Sequence, residues 1–120
     1  MQLNEIEFAY ATPIDGYGPG FFRVGGHVIE GAVCVSATGA CGWAGLGDAD
    51  TLLALAGQVD VIFIGTGADI THLPGGLRET LEEAGLGVEA MNSPAAARTY
   101  NVLLSEGRRV AAALLPVGEG

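Results

Sequence analysis

The run Val61-Ile62-Phe63-Ile64, with the grammar that follows it, constrains this chain more than any other feature. Four consecutive β-branched or aromatic apolar residues mark a strand covered on both faces, as in sheets that carry packed helices. Pro74 is expected in the first turn of the next helix. The buried stripe of that helix reads as Leu73, Leu77, Leu81 and Ala84, with Arg78 and Glu82 as an exposed i,i+4 pair and Gly85 as the stop. Residues 87–91 form a second strand. Ser93 is expected to cap a further helix with Pro94 at its first position. On that helix Ala96, Tyr100, Leu103 and Leu104 share one face, and Arg98, Asn101 and Ser105 share another. Glu106-Gly107 closes it, and residues 109–117 are the last strand. Strands alternating with helices imply a sheet with helices packed on it, joined by right-handed β-α-β connections.

The first half reads differently. Ile6-Glu7-Phe8-Ala9-Tyr10 carries a weak strand pattern, and Gly16-Tyr17-Gly18-Pro19-Gly20 is rich in turn residues. Phe21-Phe22-Arg23-Val24 and His27-Val28-Ile29-Glu30 flank Gly25-Gly26. That spacing is a tight β-hairpin, because both central positions can take positive φ at no steric cost. Ala32-Val33-Cys34-Val35 extends the second arm or begins another strand. Residues 37–47 are expected as a loop. Asp48 is the N-cap of a short helix with Asp50 in its first turn, Leu52, Leu53, Leu55 and Ala56 on its apolar side, and Gly57 as its stop. The expected class is α/β, a mixed sheet with an N-terminal β-hairpin followed by β-α-β-α-β, forming a single domain over residues 1–120.

Composition narrows the function. The 120 residues are 49% hydrophobic and 16% charged, a globular rather than a disordered balance. Fourteen acidic and five basic side chains give a net charge of −9, and every basic residue is Arg. This field repels a phosphate backbone and an anionic membrane surface alike, which argues against nucleic-acid binding and membrane docking. A basic protein partner or a neutral small ligand suits it better. The longest apolar stretches, such as residues 110–117, are far shorter than the ~20 residues of a membrane-spanning helix. The opening Met1-Gln2-Leu3-Asn4-Glu5 lacks a basic, apolar leader, so a cytoplasmic location with reduced thiols is expected. Cys34 reads as a core residue and Cys41 as a loop thiol. Without neighbouring His or Cys they make no zinc site.

In open α/β sheets ligands favour the crevice beyond the carboxyl ends of the strands. Two segments leave parallel-type strands there: Gly65-Thr66-Gly67-Ala68-Asp69 and Asn92-Ser93-Pro94. Glycine backbone and a helix N-terminus both offer free N–H groups to an anion. Gly65, Thr66, Gly67, Asp69, Ser93, Arg98 and Asn101 are therefore the candidate ligand-binding residues, with a small anionic ligand as the class. The alternative is that the glycines serve only a tight turn. No cofactor fingerprint accompanies them. The third glycine and the acidic ribose partner of a dinucleotide site are missing, and the Gly-Lys-Ser/Thr ending of a P-loop is absent. His27 is expected half-exposed in the hairpin. His72, close in sequence to Asp69, is either an acid–base pair with it or a turn residue. Neither Ser36 nor Ser93 has a His/Asp arrangement that sequence supports. Trp43 is a lid over the core or an exposed contact residue. Tyr17, Phe21 and Phe22 form a core plug or a partner-binding lip.

Four blocks in order carry a further likeness: Gly16-Tyr17-Gly18-Pro19-Gly20-Phe21-Phe22, Ile64-Gly65-Thr66-Gly67, Ser93-Pro94-Ala95-Ala96-Ala97-Arg98-Thr99-Tyr100-Asn101-Val102-Leu103, and Gly107-Arg108-Arg109-Val110-Ala111. Together they resemble the family that carries domain of unknown function 498, whose eukaryotic members include a mitochondrial complex I assembly factor. The resemblance implies a three-layer α/β fold with a mixed central sheet. It carries over no catalytic residues and no cofactor. It implies a protein partner and a non-catalytic role in assembling a protein complex. The rival is a small-ligand binder or enzyme that uses the crevice.

Overall fold

A computed structural model describes residues 12–118 of the chain. The weak strand pattern at Ile6–Tyr10 lies outside the described residues. Among the described residues, eight strands fall into two sheets. β1 (Ile14–Gly18), β2 (Phe21–Val24) and β3 (His27–Glu30) form an antiparallel sheet in that order. The β2–β3 turn is the expected hairpin: Val24 pairs with His27, and Gly25 and Gly26 take φ of 56° and 86°. Gly31, at φ 85°, then redirects the chain, so β4 (Val33–Ser36) opens a second sheet rather than lengthening β3.

That second sheet has five strands in the order β5-β4-β8-β6-β7. β5 (Gly39–Gly42) falls where a loop was expected. Its Gly-Ala-Cys-Gly sequence has no apolar alternation, but an edge strand needs only backbone pairing, and β4 supplies it from Val33↔Gly42 to Ser36↔Gly39. β6 (Val61–Gly65), β7 (Gly87–Met91) and β8 (Val110–Leu114) run parallel, and β4 is antiparallel to β8, so the sheet is mixed. The last strand is thus shorter than residues 109–117; Arg109 lies outside it and pairs with Asp60 at 3.0 Å.

Strand alternation splits the interior into two cores. Val33, Val35, Phe63, Val110, Ala112 and Leu114 face one side; Cys34, Ile62, Ile64, Val88, Ala111 and Ala113 face the other. The first core is covered by helix α3 (Ser93–Ser105), through Ala96, Ala97, Tyr100 and Leu104, and by the small sheet through Ile14, Phe22 and Val24. The second is covered by α1 (Ala49–Leu53) and α2 (Leu77–Glu83), through Leu52, Leu77 and Leu81. This is a three-layer α/β architecture.

Helix ends correct four expectations. Pro74 precedes α2 rather than starting it: its carbonyl accepts from Leu77 N–H, and Gly76, at φ 86°, is the N-cap. Ala84 is exposed, and Leu86 takes the buried place instead. The Leu86 N–H reaches the Leu81 carbonyl while Gly85 N–H reaches Glu82, a turn that swings Leu86 back over the helix. α1 ends at Leu53, before Gly57, which sits in the following turn. On α3 the N-cap is Asn92, not Ser93: Asn92 Oδ1 accepts from Ala95 N–H at 2.8 Å. Ser93 is fully buried, and its hydroxyl is committed elsewhere. Asp48 caps α1 as expected, accepting from Thr51 N–H and Oγ1. Those bonds hold its carboxyl below the usual range.

Candidate functional site

Strand order places the anticipated crevice. β6 leads through α2 to β7 on one side, and β7 leads back through α3 to β8 on the other. The two connections leave opposite faces of the sheet, so the chain parts at the carboxyl ends of β6 and β7. Gly65, Thr66, Gly67 and Ser93 do meet there.

The polar groups gathered at that point bind one another. Ser93 N–H donates to the Gly67 carbonyl at 2.7 Å, and Gly67 N–H donates to Ser93 Oγ at 2.9 Å. Ser93 Oγ in turn donates to the Leu115 carbonyl at 2.6 Å. Thr66 N–H donates to the Met91 carbonyl at 2.9 Å. Thr66 Oγ1 donates to the Asp69 carbonyl at 2.8 Å and accepts from Thr71 N–H at 3.1 Å. The α3 N-terminus is likewise engaged: Ala95 N–H goes to the Asn92 side chain and Ala96 N–H to the Asn92 carbonyl. Pro94 has no N–H to offer. Gly65 is a steric requirement of this knot. A Cβ there would lie 2.7 Å from Ser93 Cα and Oγ and 2.8 Å from Leu114 Cδ2.

The remaining candidates lie apart from the knot. The Asp69 side chain and Arg98 are exposed, as is His72. Asn101 is a staple between α3 and β1: its Oδ1 accepts from Ile14 N–H at 2.9 Å, and its Nδ2 donates to the Ile14 carbonyl at 2.8 Å. Beside it the Tyr100 hydroxyl donates to the Thr12 carbonyl at 2.8 Å, and burial pushes that phenol above its ordinary pKa. Trp43 is buried, with Nε1 donating to the Asp48 carbonyl, and so acts as a lid over the core. Phe22 is the core plug, while Tyr17 remains 48% exposed against it.

Cys34 and Cys41 stand opposite each other across β4 and β5. Burial raises the Cys34 thiol to about 12, whereas Cys41 is exposed. Among the described residues, no group of three or more His, Cys, Asp or Glu is placed to hold a metal ion. No described helix is long and apolar enough to cross a membrane.

Open space lies next to the knot, on the α2 side. A groove of about 510 Å3 is bounded by residues 70–76, by Arg78 and Glu79 of α2, and by Ala90 of β7. Ile70, on its rim, is 63% exposed. Neither Ile70 nor Ala90 stands in a sequence motif that marks a site. Ala90 matters through its place at the sheet edge, which follows from strand order rather than from any local pattern.

The chain belongs to the family described as proteins of unknown function DUF498/DUF598, whose model matches residues 14–115. An uncharacterized protein of Rhodobacter capsulatus is 56% identical over 98% of this chain and 94% of its own length. NADH dehydrogenase [ubiquinone] 1 alpha subcomplex assembly factor 3 of Danio rerio is 31% identical over the whole chain and 73% of its own length. Among solved structures, an outer membrane protein of Bartonella henselae superposes with a TM-score of 0.82 at 37% identity, covering 92% of this chain and 98% of that one. An Mth938-like domain of Bordetella pertussis does so with a TM-score of 0.76 at 30% identity, covering 91% and 88%.

Proposed function

We propose that this protein is a non-catalytic binding factor that acts in the cytoplasm during assembly of a multi-subunit complex. The observation that carries this reading is the likeness, across the full chain, to a relative named as an assembly factor of NADH dehydrogenase. Two features of the fold are in keeping with it. The polar groups at the strand ends hydrogen-bond to one another, which is in keeping with recognition on the outer surface. The net charge of −9 favours a basic protein over an anionic ligand. The partner expected on this precedent is a subunit of the respiratory NADH dehydrogenase.

Affinity capture of the tagged chain under gentle lysis with crosslinking tests the proposal. Reproducible recovery of such a subunit supports it. Recovery of the chain alone contradicts it.

A further inference from the structure

Among the described residues, β7 is an edge strand that pairs with β6 alone. Gly87 N–H donates to the Asp60 carbonyl, and Thr66 N–H donates to the Met91 carbonyl, so both ends of β7 turn their backbone groups toward β6. Backbone direction alternates along a parallel strand, which turns Val88 and Ala90 outward. Arg78 marks the same direction independently: its Nη1 donates to the Val88 carbonyl at 2.7 Å. That bond blunts the edge at one rung, as charged side chains do at exposed sheet edges. At the next rung, no hydrogen bond among the described residues engages Ala90 N–H or its carbonyl from outside. The outer edge of β1, by contrast, is stopped at Ile14 by the Asn101 amide.

The open rung faces the groove of about 510 Å3 that Ala90 shares with residues 70–76. Among the described residues, Ile70 is the most exposed of the large hydrophobic side chains. The surrounding charge is negative. Asp69 precedes Ile70, and Glu79 lines the groove. Arg78, which also lines the groove, is held by the Val88 carbonyl and by Glu82.

We infer that this groove takes an extended, basic segment of the partner protein, which adds as a strand beside β7 through Ala90 and lays an apolar side chain against Ile70. The inference rests on the protein-binding role proposed above and names the surface and chemistry of that contact. Strand addition draws affinity from main-chain bonds, and the charges flanking the groove select the peptide.

The probe is a synthetic peptide of alternating Arg and Val, compared with a twin N-methylated at every second residue. The twin keeps the charge and loses donors. In 15N amide spectra of the full chain, the plain peptide should shift residues 70–76 and 88–91, and the twin should not. Ala90→Pro removes only an outward N–H, which an edge strand tolerates, and should weaken binding about tenfold through lost hydrogen bonding and steric block. Arg78→Ala uncovers the Val88 carbonyl and should tighten binding of the plain peptide about fivefold, an effect of one net hydrogen bond. Equal binding of the twin, absence of shifts with either peptide, or native-like Ala90→Pro protein that binds as wild type does would each overturn the inference. Should Ala90→Pro fail to fold, the Arg78→Ala comparison decides alone. Capture from cells separates the two claims. A partner held equally by wild type and Ala90→Pro sinks the edge and leaves the proposed function; wild type that captures nothing sinks the function itself.

Discussion

At the carboxyl end of β6, Gly67, Ser93 and Leu115 exchange their hydrogen bonds in a closed set, and Gly65 gives up its side chain so that α3 can start against the strand. At Ala90 on the edge of the same sheet, the backbone faces a groove, and Arg78 covers only the rung before it. Both regions are backbone-rich and close together in sequence, yet one is sealed and the other open. The difference shows that a crevice at strand ends is a topological opportunity, which a single buried hydroxyl can fill. An edge stays available until a side chain is spent on it.

Substitutions break or sharpen that contrast. Gly65→Ala should do the most damage, since the added methyl meets backbone as well as side chain at under 3 Å. Its expected cost is about 3 kcal/mol, at the upper end of overpacking effects, read from the urea midpoint. Ser93→Ala leaves the Gly67 N–H and the Leu115 carbonyl without their partner in a buried site. The same measurement should show about 2 kcal/mol lost. Asn101→Ala unseals β1 at Ile14 and should cost about 1 kcal/mol, with faster amide exchange at Ile14 and little change in the knot. Arg98→Ala, at an exposed position on α3, should stay within about 0.5 kcal/mol of wild type. Inorganic phosphate should leave the amide signals of residues 65–69 in place for both proteins. A phosphate-dependent shift that Arg98→Ala abolishes would instead open the crevice to an anion.

Much of this fold was readable in the sequence because its signals are local. Gly25-Gly26 specifies a two-residue turn, Asp48 caps its own helix, and the run at β6 announces a strand covered on both faces. The misreadings have non-local causes. β5 has no apolar alternation to detect, because it is held by pairing with β4 alone. Asn92 and Ser93 are both good capping residues. Which one serves was settled by bonds from Ser93 to Gly67 and Leu115, far away in sequence. The meeting of Gly65–Gly67 with Ser93 followed from the strand-helix alternation, whereas the commitment of their polar groups depended on where the chain goes after β8. The place of Asn101 on a helix face is legible in the sequence, but its partner Ile14 lies 87 residues away. The open rung at Ala90 exists because β7 is the edge among the described strands, a fact of strand order that no window of sequence contains.

The most direct test of the closed crevice and the open edge is native-state amide hydrogen exchange, resolved by residue. The knot predicts that Thr66, Gly67 and Ser93 exchange only as slowly as the protein unfolds globally, while Ala90 exchanges orders of magnitude faster than its strand neighbour Met91. Fast exchange at Gly67 and Ser93, or an Ala90 amide as protected as Met91, would contradict the account.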